Sequence, residues 1–180
     1  NLPIKNLSTF YRLSQGGMEF LGLNAKVGQS YLSDTVILRY ESLLDLNDFN
    51  NKVSLDINLK NVTLHPADLA LFTSGVQAIP SPIQLSGNIT GKVSRFRYQN
   101  MDLAIGNTLL KGRLQLDGLP VLKETFINLD VQEGKIDIRD LGFLFPGNIN
   151  ELLLPLDQFR MTGKFTGFTE DFVANGDFNG

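Results

Sequence analysis

The side chains that could do chemistry in this chain are few and scattered. The single histidine, His65, is followed by Pro66 and lies in neither an HExxH nor a Gly-x-Ser-x-Gly context. The chain has no cysteine, which excludes a disulfide scaffold, a thiolate metal site and a cysteine nucleophile. We therefore predict no enzyme activity, no catalytic residues, no metal site and no cofactor, and we interpret His65 as a residue of a loop or helix start.

Two closely spaced pairs of carboxylates could in principle bind a cation: Asp45 with Asp48, and Asp137 with Asp140. Neither group has the spacing of a calcium loop, whose glutamate stands at position twelve, so we interpret them as residues of solvated turns. Sixteen Lys and Arg against nineteen Asp and Glu give a net charge of −3. Because nucleic-acid binding is usually accompanied by a strong basic excess, we predict no nucleic-acid partner.

The glycines Gly87 and Gly91 invite comparison with a phosphate-binding loop. They lie within an alternating strand pattern, whereas phosphate loops lead from a strand into a helix. Glycine inside a strand is more typical of a bulge, of sharp curvature or of close approach by another group.

Most of the chain alternates between apolar and polar residues with a period of two, as in Val53 to Lys60. Such alternation predicts strands with one face on a core and one in water. Turn residues separate the strands: Asp117-Gly118, Glu133-Gly134 and Gly106-Asn107. Helical spacing is confined to about 66–73 and 140–145. We therefore predict an all-β fold of antiparallel strands with short helices at most.

The sequence contains an internal repeat. Residues 53–75 match 125–147 at an offset of 72, and Gly87-x-Ile89-x-Gly91 matches Gly163-x-Phe165-x-Gly167 at an offset of 76. Both copies place an aspartate, Asp68 or Asp140, where a short helix should start. Repetition of this kind favours an elongated array over a closed globule.

We divide the chain, 1–180, as one segment of a longer repetitive β structure. Residues 53–124 are one repeat, 125–180 a partial repeat and 1–52 the tail of a diverged one, because 34–38 resemble 107–110 at an offset of 73. The chain starts without Met and stops within an alternating pattern, so we expect further material on both sides. No run of eighteen apolar residues occurs.

The unit Gly106-Asn-Thr108-Leu-Leu110-Lys-Gly112-Arg-Leu114-Gln-Leu116-Asp-Gly118-Leu-Pro120, followed by strands and Asp140-Leu141, resembles the AsmA-like and TamB-like proteins of Gram-negative envelopes. The resemblance is greatest to the TamB-like proteins of Bacteroidetes and is clearest over 53–167. It implies a taco-shaped periplasmic β structure with a hydrophobic groove, in a full-length protein anchored in the inner membrane. It also implies phospholipid transport between the two membranes and, as in TamB-like members, a role in the assembly of outer-membrane proteins with an Omp85-type partner.

The parity of the apolar residues predicts which side chains line that groove and contact phospholipid acyl chains. They are Leu55, Ile57, Leu59, Leu85, Ile89, Val93, Leu114, Leu116, Ile127, Leu129, Val131, Phe159, Met161 and Phe165. Two alternatives remain at this stage. The sheet edge could instead pair with strands of an outer-membrane client, or the apolar residues could form the core of a closed sandwich or barrel that binds a discrete apolar ligand.

Overall fold

The computed structural model describes residues 4–70, 79–144, 151, 155 and 157–180. These residues form a single open antiparallel sheet of ten strands, in which each strand pairs with its neighbours in sequence. The prediction of an all-β, curled and groove-forming sheet is confirmed. The alternative of a closed sandwich or barrel is wrong, because there is one sheet and its first and last strands do not pair.

The strands are of similar length. They are β1 (Ile4–Ser14), β2 (Gly17–Val27), β3 (Ser30–Arg39), β4 (Ser54–Leu64), β5 (Ile83–Lys92), β6 (Arg95–Ile105), β7 (Thr108–Asp117), β8 (Phe126–Asp137), β9 (Gln158–Gly167) and β10 (Phe172–Asn179).

Short helices lie between strands. The α-helices are α1 (Phe49–Lys52), α2 (Pro66–Leu69) and α3 (Ile138–Leu141), and 3-10 turns cover Leu43–Asp48, Leu122–Glu124 and Gly142–Leu144. Asp68 and Asp140 both lie in first turns, as predicted, although α3 begins two residues before Asp140. His65 is the N-cap of α2, which confirms its interpretation. The predicted helical stretches 66–73 and 140–145 end in residues outside the described ones.

The two faces of the sheet differ in chemistry. Because directly paired residues share a face, the strand pairings define an inner face that carries Leu55, Ile57 and Ile89, and an outer face that carries Asp56, Asn58 and their neighbours. On the outer face, ion pairs join adjacent strands: Arg95–Asp117, Lys111–Glu133 and Arg113–Asp130. The sheet is thus apolar inside and polar outside.

A row of irregularities crosses the sheet near the middle of the strands. Eight of the nine strand pairings shift register there, including Leu59/Val62 in β4 and Val131/Gly134 in β8. Bulges bend strands and increase their twist, so bulges aligned across a sheet curl it along one line. We call this line the crease. Glu133-Gly134, predicted as a turn, lies at the crease within β8.

Glycine is required at two positions of the crease, Gly87 and Gly163. Gly87 has a φ of +130°, and a Cβ there would lie 2.5 Å from the carbonyl oxygen of Asn100. Gly163 has a φ of +143°. Side-chain-bearing residues rarely adopt such angles. Gly87 therefore serves strand curvature and close approach, as its strand context predicted.

The crease divides the inner face into two halves. The helix arm leads to α2 and α3, and most of its inner side chains are buried: Leu23, Ala25, Val62, Met101, Ile105, Leu110, Ile136 and Met161. The open arm lies on the other side of the crease. Its inner side chains are mostly half-buried, except where Tyr98 and Val131 border the crease.

The sheet repeats every four strands. Apart from the first pair of β1, Ile4 with Val27, the pairings of β1–β3 recur in β5–β7 at an offset of 78. The shift at Ser8/Phe10 becomes that at Ser86/Asn88, and the shift at Phe20/Leu23 becomes that at Tyr98/Met101. We call β1–β4 with α2 the first copy and β5–β8 with α3 the second copy.

The offsets of β4 to β8 and of β5 to β9 are the 72 and 76 found in the sequence. The offset of 73 for residues 34–38 is wrong, since Ser30 and Thr108, the equivalent first residues of β3 and β7, are 78 apart. Alternation fixes parity but not register, which explains the error. The division of the chain at residue 53 stays a prediction.

Candidate functional site

Thirteen of the fourteen residues predicted to line a groove lie in strands on the inner face. The exception is Val93, which lies in the turn between β5 and β6. Its parity matches that of Ile89, but the alternation no longer defines a face once the chain turns. Val93 is therefore removed from the candidate inner face.

An unbroken row of apolar residues crosses the open arm through all ten strands, each residue paired directly with the next. It consists of Tyr11, Phe20, Val36, Ile57, Ile89, Tyr98, Leu114, Leu129, Phe165 and Ala174. We call it the apolar row. At about 4.8 Å between strands it extends for about 43 Å.

The apolar face is only partly covered. A packed cluster of Tyr98, Met101, Leu110, Val131, Ile136, Ile138, Leu141 and Met161 fills the helix arm and the crease of the second copy. Val131 and Met101 are each 2% exposed. By contrast, Leu114 and Leu129 pack against this cluster from the open arm and remain half-buried. The open arm therefore presents apolar surface to its surroundings.

Tyr98 brings a hydroxyl group into the apolar row, and a hydrogen bond offsets the free-energy cost of burying it. Its hydroxyl donates to the backbone oxygen of Ser86 at 2.7 Å, which lies at the shifted register of β5. Burial, with a smaller effect of Asp102, raises the pKa of Tyr98 to about 12. The phenol is therefore neutral at physiological pH, and it leaves the row without a charge.

The end of the helix arm is closed by two equivalent contacts between a hairpin turn and a helix. We call them the first and second capped hairpins. In the first, Oδ2 of Asp68 accepts from the backbone nitrogens of Gln29 and Ser30 at 2.9 and 2.8 Å, and from the Ser30 hydroxyl. These hydrogen bonds, above all that of the Ser30 side chain, lower the pKa of Asp68.

In the second capped hairpin, Oδ2 of Asp140 accepts from the backbone nitrogens of Asn107 and Thr108 at 2.7 and 3.0 Å. The preceding turn glycine, Gly106, has a φ of +57°, close to the +62° of Gly28 in the first hairpin. A Cβ at either glycine would collide with the capping carboxylate. Glycine and aspartate thus form one structural device that occurs twice.

Among the described residues, the second capped hairpin alone has a further network, which is centred on Asp137. Its carboxylate accepts from Nε and Nη2 of Arg139 at 2.8 and 2.7 Å, and from the side-chain amides of Gln158 and Asn107 at 2.9 and 3.3 Å. The hydrogen bonds from Arg139 in particular hold the pKa of Asp137 well below its usual range. Asp137 and Asp140, predicted as solvated turn residues, are in fact buried, so that interpretation was wrong for this pair.

The two edge strands of the sheet, β1 and β10, leave apolar surface exposed. β1 and β10 each pair with a single strand, so each has one free edge in the described sheet. Large apolar side chains on them are strongly exposed: Ile4, Leu7, Phe10, Tyr11, Leu13, Val173 and Phe178.

Among the described residues, no group of three or more histidine or acidic side chains could hold a metal ion. Within the same part of the chain, no helix has the length and hydropathy needed to cross a bilayer. Comparison with known proteins gave no match to a family model, to a curated protein or to a solved structure.

Proposed function

We propose that the open arm of the inner face binds lipid acyl chains, and that the chain is a segment of a groove through which phospholipids move. The apolar row is the observation that carries this proposal, because it is continuous across the sheet and incompletely covered. Each Å² of such surface removed from water is favourable by about 25 cal/mol. Acyl chains need no specific polar partner, which suits a row whose central hydroxyl, that of Tyr98, already donates a hydrogen bond to the backbone.

The curled sheet and its four-strand repeat support a role like that of the AsmA/TamB-like bridge proteins, which the sequence resembles. In this proposal the chain belongs to a periplasmic protein anchored in the inner membrane, and its groove conducts phospholipid between the inner and outer membranes. The polar outer face would remain in water. The length of the apolar row, about 43 Å, exceeds the thickness of one leaflet of a bilayer core about 30 Å thick.

Matched substitutions on the two faces test the proposal. Leu129→Arg and Ile89→Asp place a charge in the apolar row, whereas Leu109→Arg makes the same change as the first on the outer face, where Leu109 is already 49% exposed. We expect all three variants to fold, because the half-buried positions of the open arm let the charge reach water. Photo-crosslinking with a phospholipid analogue should label the wild type and Leu109→Arg but not the two inner-face variants.

Native mass spectrometry before and after mild delipidation gives a second measurement, in which wild-type protein should carry phospholipid. Unfolding of both inner-face variants would show that the row is a packed core. Folded inner-face variants that still crosslink lipid would place the acyl chains elsewhere. Either result contradicts the proposal.

A second candidate function is strand addition at a sheet edge. It is favoured by the free edges of β1 and β10 and by their exposed apolar side chains. In this case the partner would be a strand of an outer-membrane client or of an Omp85-type protein. A proline within β10 but outside the apolar row, Phe178→Pro, should abolish strand addition at that edge and leave phospholipid crosslinking intact.

A further inference from the structure

A shallow depression of about 290 Å³ lies on the outer face, across the open arms of β6 to β9. Its polar lining includes Arg97, Arg113, Gln115, Asn128, Asp130 and Lys164. We call these six residues the basic patch. Its six side chains lie on the opposite face of the sheet from the apolar row, although Tyr98 and Leu114 of that row also border the depression.

Strand register places the patch residues next to one another. In one row Arg97 pairs with Gln115, which pairs with Asn128. In the adjacent row Arg113 pairs with Asp130, which pairs with Lys164. Directly paired residues have Cβ atoms about 4.5–5.5 Å apart. The three cationic side chains therefore surround a small area that also contains two side-chain amides.

The basic patch contains more cationic side chains than carboxylates. Nη2 of Arg113 contacts Oδ2 of Asp130 at 2.6 Å, which is the one ion pair that the patch forms with described residues. Three cations and one carboxylate leave a net charge of +2 within the depression. Within the described part of the chain, the side chains of Arg97 and Lys164 form no ion pair or hydrogen bond, and the same holds for the amides of Gln115 and Asn128.

The first copy shows that the scaffold does not require these charges. The equivalent six positions, five in the first copy and one in the adjoining strand β5, are occupied by Glu19, Thr35, Ile37, Asp56, Asn58 and Asn88, which have the same mutual pairings. That equivalent patch contains two acids and no cation. The positive charge of the basic patch is thus a property of its side chains alone.

We propose that the basic patch binds a phosphate group, as a phosphate ester or as free phosphate. Guanidinium groups donate several hydrogen bonds in a plane to phosphate oxygens, and an ammonium group adds a mobile positive charge. The unused amides of Gln115 and Asn128 supply further donors. The net charge of −3 for the whole chain argues against a nucleic-acid partner, but it averages over faces of different charge and does not exclude a single phosphate group on this face.

The test compares patch variants with a control on the same face. Arg97→Gln and Lys164→Gln each remove one unpaired cation, whereas Lys135→Gln removes a cation on the outer face of β8 that lies outside the depression. Calorimetric titration with inorganic phosphate should show saturable binding that weakens about tenfold in each patch variant. Lys135→Gln should bind as the wild type does. Circular dichroism melts should be unchanged in all three.

Flotation with vesicles of phosphatidylglycerol and of phosphatidylcholine distinguishes a lipid headgroup from free phosphate. If the wild type binds phosphatidylglycerol vesicles but not inorganic phosphate, and both Arg97→Gln and Lys164→Gln abolish vesicle binding, the ligand is a lipid headgroup. Patch-dependent binding of inorganic phosphate alone identifies a soluble ligand. The proposal is overturned if neither probe binds, or if Lys135→Gln weakens binding as much as the patch variants do.

Discussion

The two capped hairpins share one backbone design and differ in the side chains that hold it. In both, an aspartate from a short helix accepts hydrogen bonds from a turn that follows a glycine. The first hairpin has His65 where the second has Asp137, and the backbone nitrogen of each donates to the turn hydroxyl, at 2.9 and 3.0 Å. Glycine and aspartate therefore suffice for the geometry, and the Asp137 network is an addition.

The difference lies in burial as well as in hydrogen bonds. Asp140 is 8% exposed, whereas Asp68 is half-buried; the turn residues that they hold, Thr108 and Ser30, are both buried. Buried donors that lose their acceptor carry a larger free-energy penalty than donors that water can reach. The second hairpin should therefore depend more on its aspartate than the first.

The largest expected effect follows from removing each aspartate. Asp140→Ala leaves two backbone nitrogens and the Thr108 hydroxyl without this acceptor, and we expect the free energy of unfolding to fall by about 3 kcal/mol. Asp68→Ala should lower it by about 1 kcal/mol, because water reaches the turn around Gln29. Urea denaturation measures both values. Equal losses would show that burial does not distinguish the hairpins.

The next effect is on acid stability. The pKa values of Asp68 and Asp137 are both lowered in the folded protein, and that of Asp137 is lowered further. A lowered pKa adds stability that is complete above about pH 4 and is lost as the pH falls through the folded value. Melting temperature should therefore fall continuously from pH 4 to pH 2.

Carboxyl carbon chemical shifts test this assignment residue by residue, with Asp68 expected to titrate at a higher pH than Asp137. Asp137→Asn removes the second group, so its melting temperature should depend less on pH in the acid range than that of the wild type. An unchanged slope would mean that the Asp137 network does not contribute to acid stability.

The residues of the inner face could be predicted from the sequence, because side chains alternate between the two faces of a strand and the strands are long. Parity alone placed Leu55, Leu129 and Phe165 on one face. The same reasoning wrongly placed Val93 on this face, because parity alone does not show where β5 ends and the turn begins. The sequence placed Asp68 and Asp140 near helix starts but did not reveal that they hold distant turns. Asp68 binds Ser30, which lies 38 residues earlier in the chain, and Asp140 binds Thr108, 32 residues earlier.

The basic patch could not be found from the sequence, because it depends on cross-strand register. Arg97, Arg113 and Lys164 are far apart in the chain and come together only through the pairings of β6 to β9. The crease has the same origin. Gly87 and Gly163 signalled irregular strands, but only the sheet shows that their bulges are aligned.

The smallest expected effect concerns the turn side chains themselves. Nδ2 of Asn107 donates to Oδ2 of Asp137 at 3.3 Å, whereas the side chain of Gln29, its counterpart, forms no hydrogen bond with the described residues. A long, partly exposed hydrogen bond contributes about 0.5–1 kcal/mol. Asn107→Ala should therefore lower the free energy of unfolding by that amount, and Gln29→Ala should leave it unchanged within error. Because the two residues occupy equivalent turns with nearly the same backbone angles at the preceding glycine, the difference between the variants isolates the contribution of the Asp137 network from that of the turn. A loss of the same size in Gln29→Ala would assign the effect to turn conformation, and the network would then have no measurable share in the stability of the second hairpin.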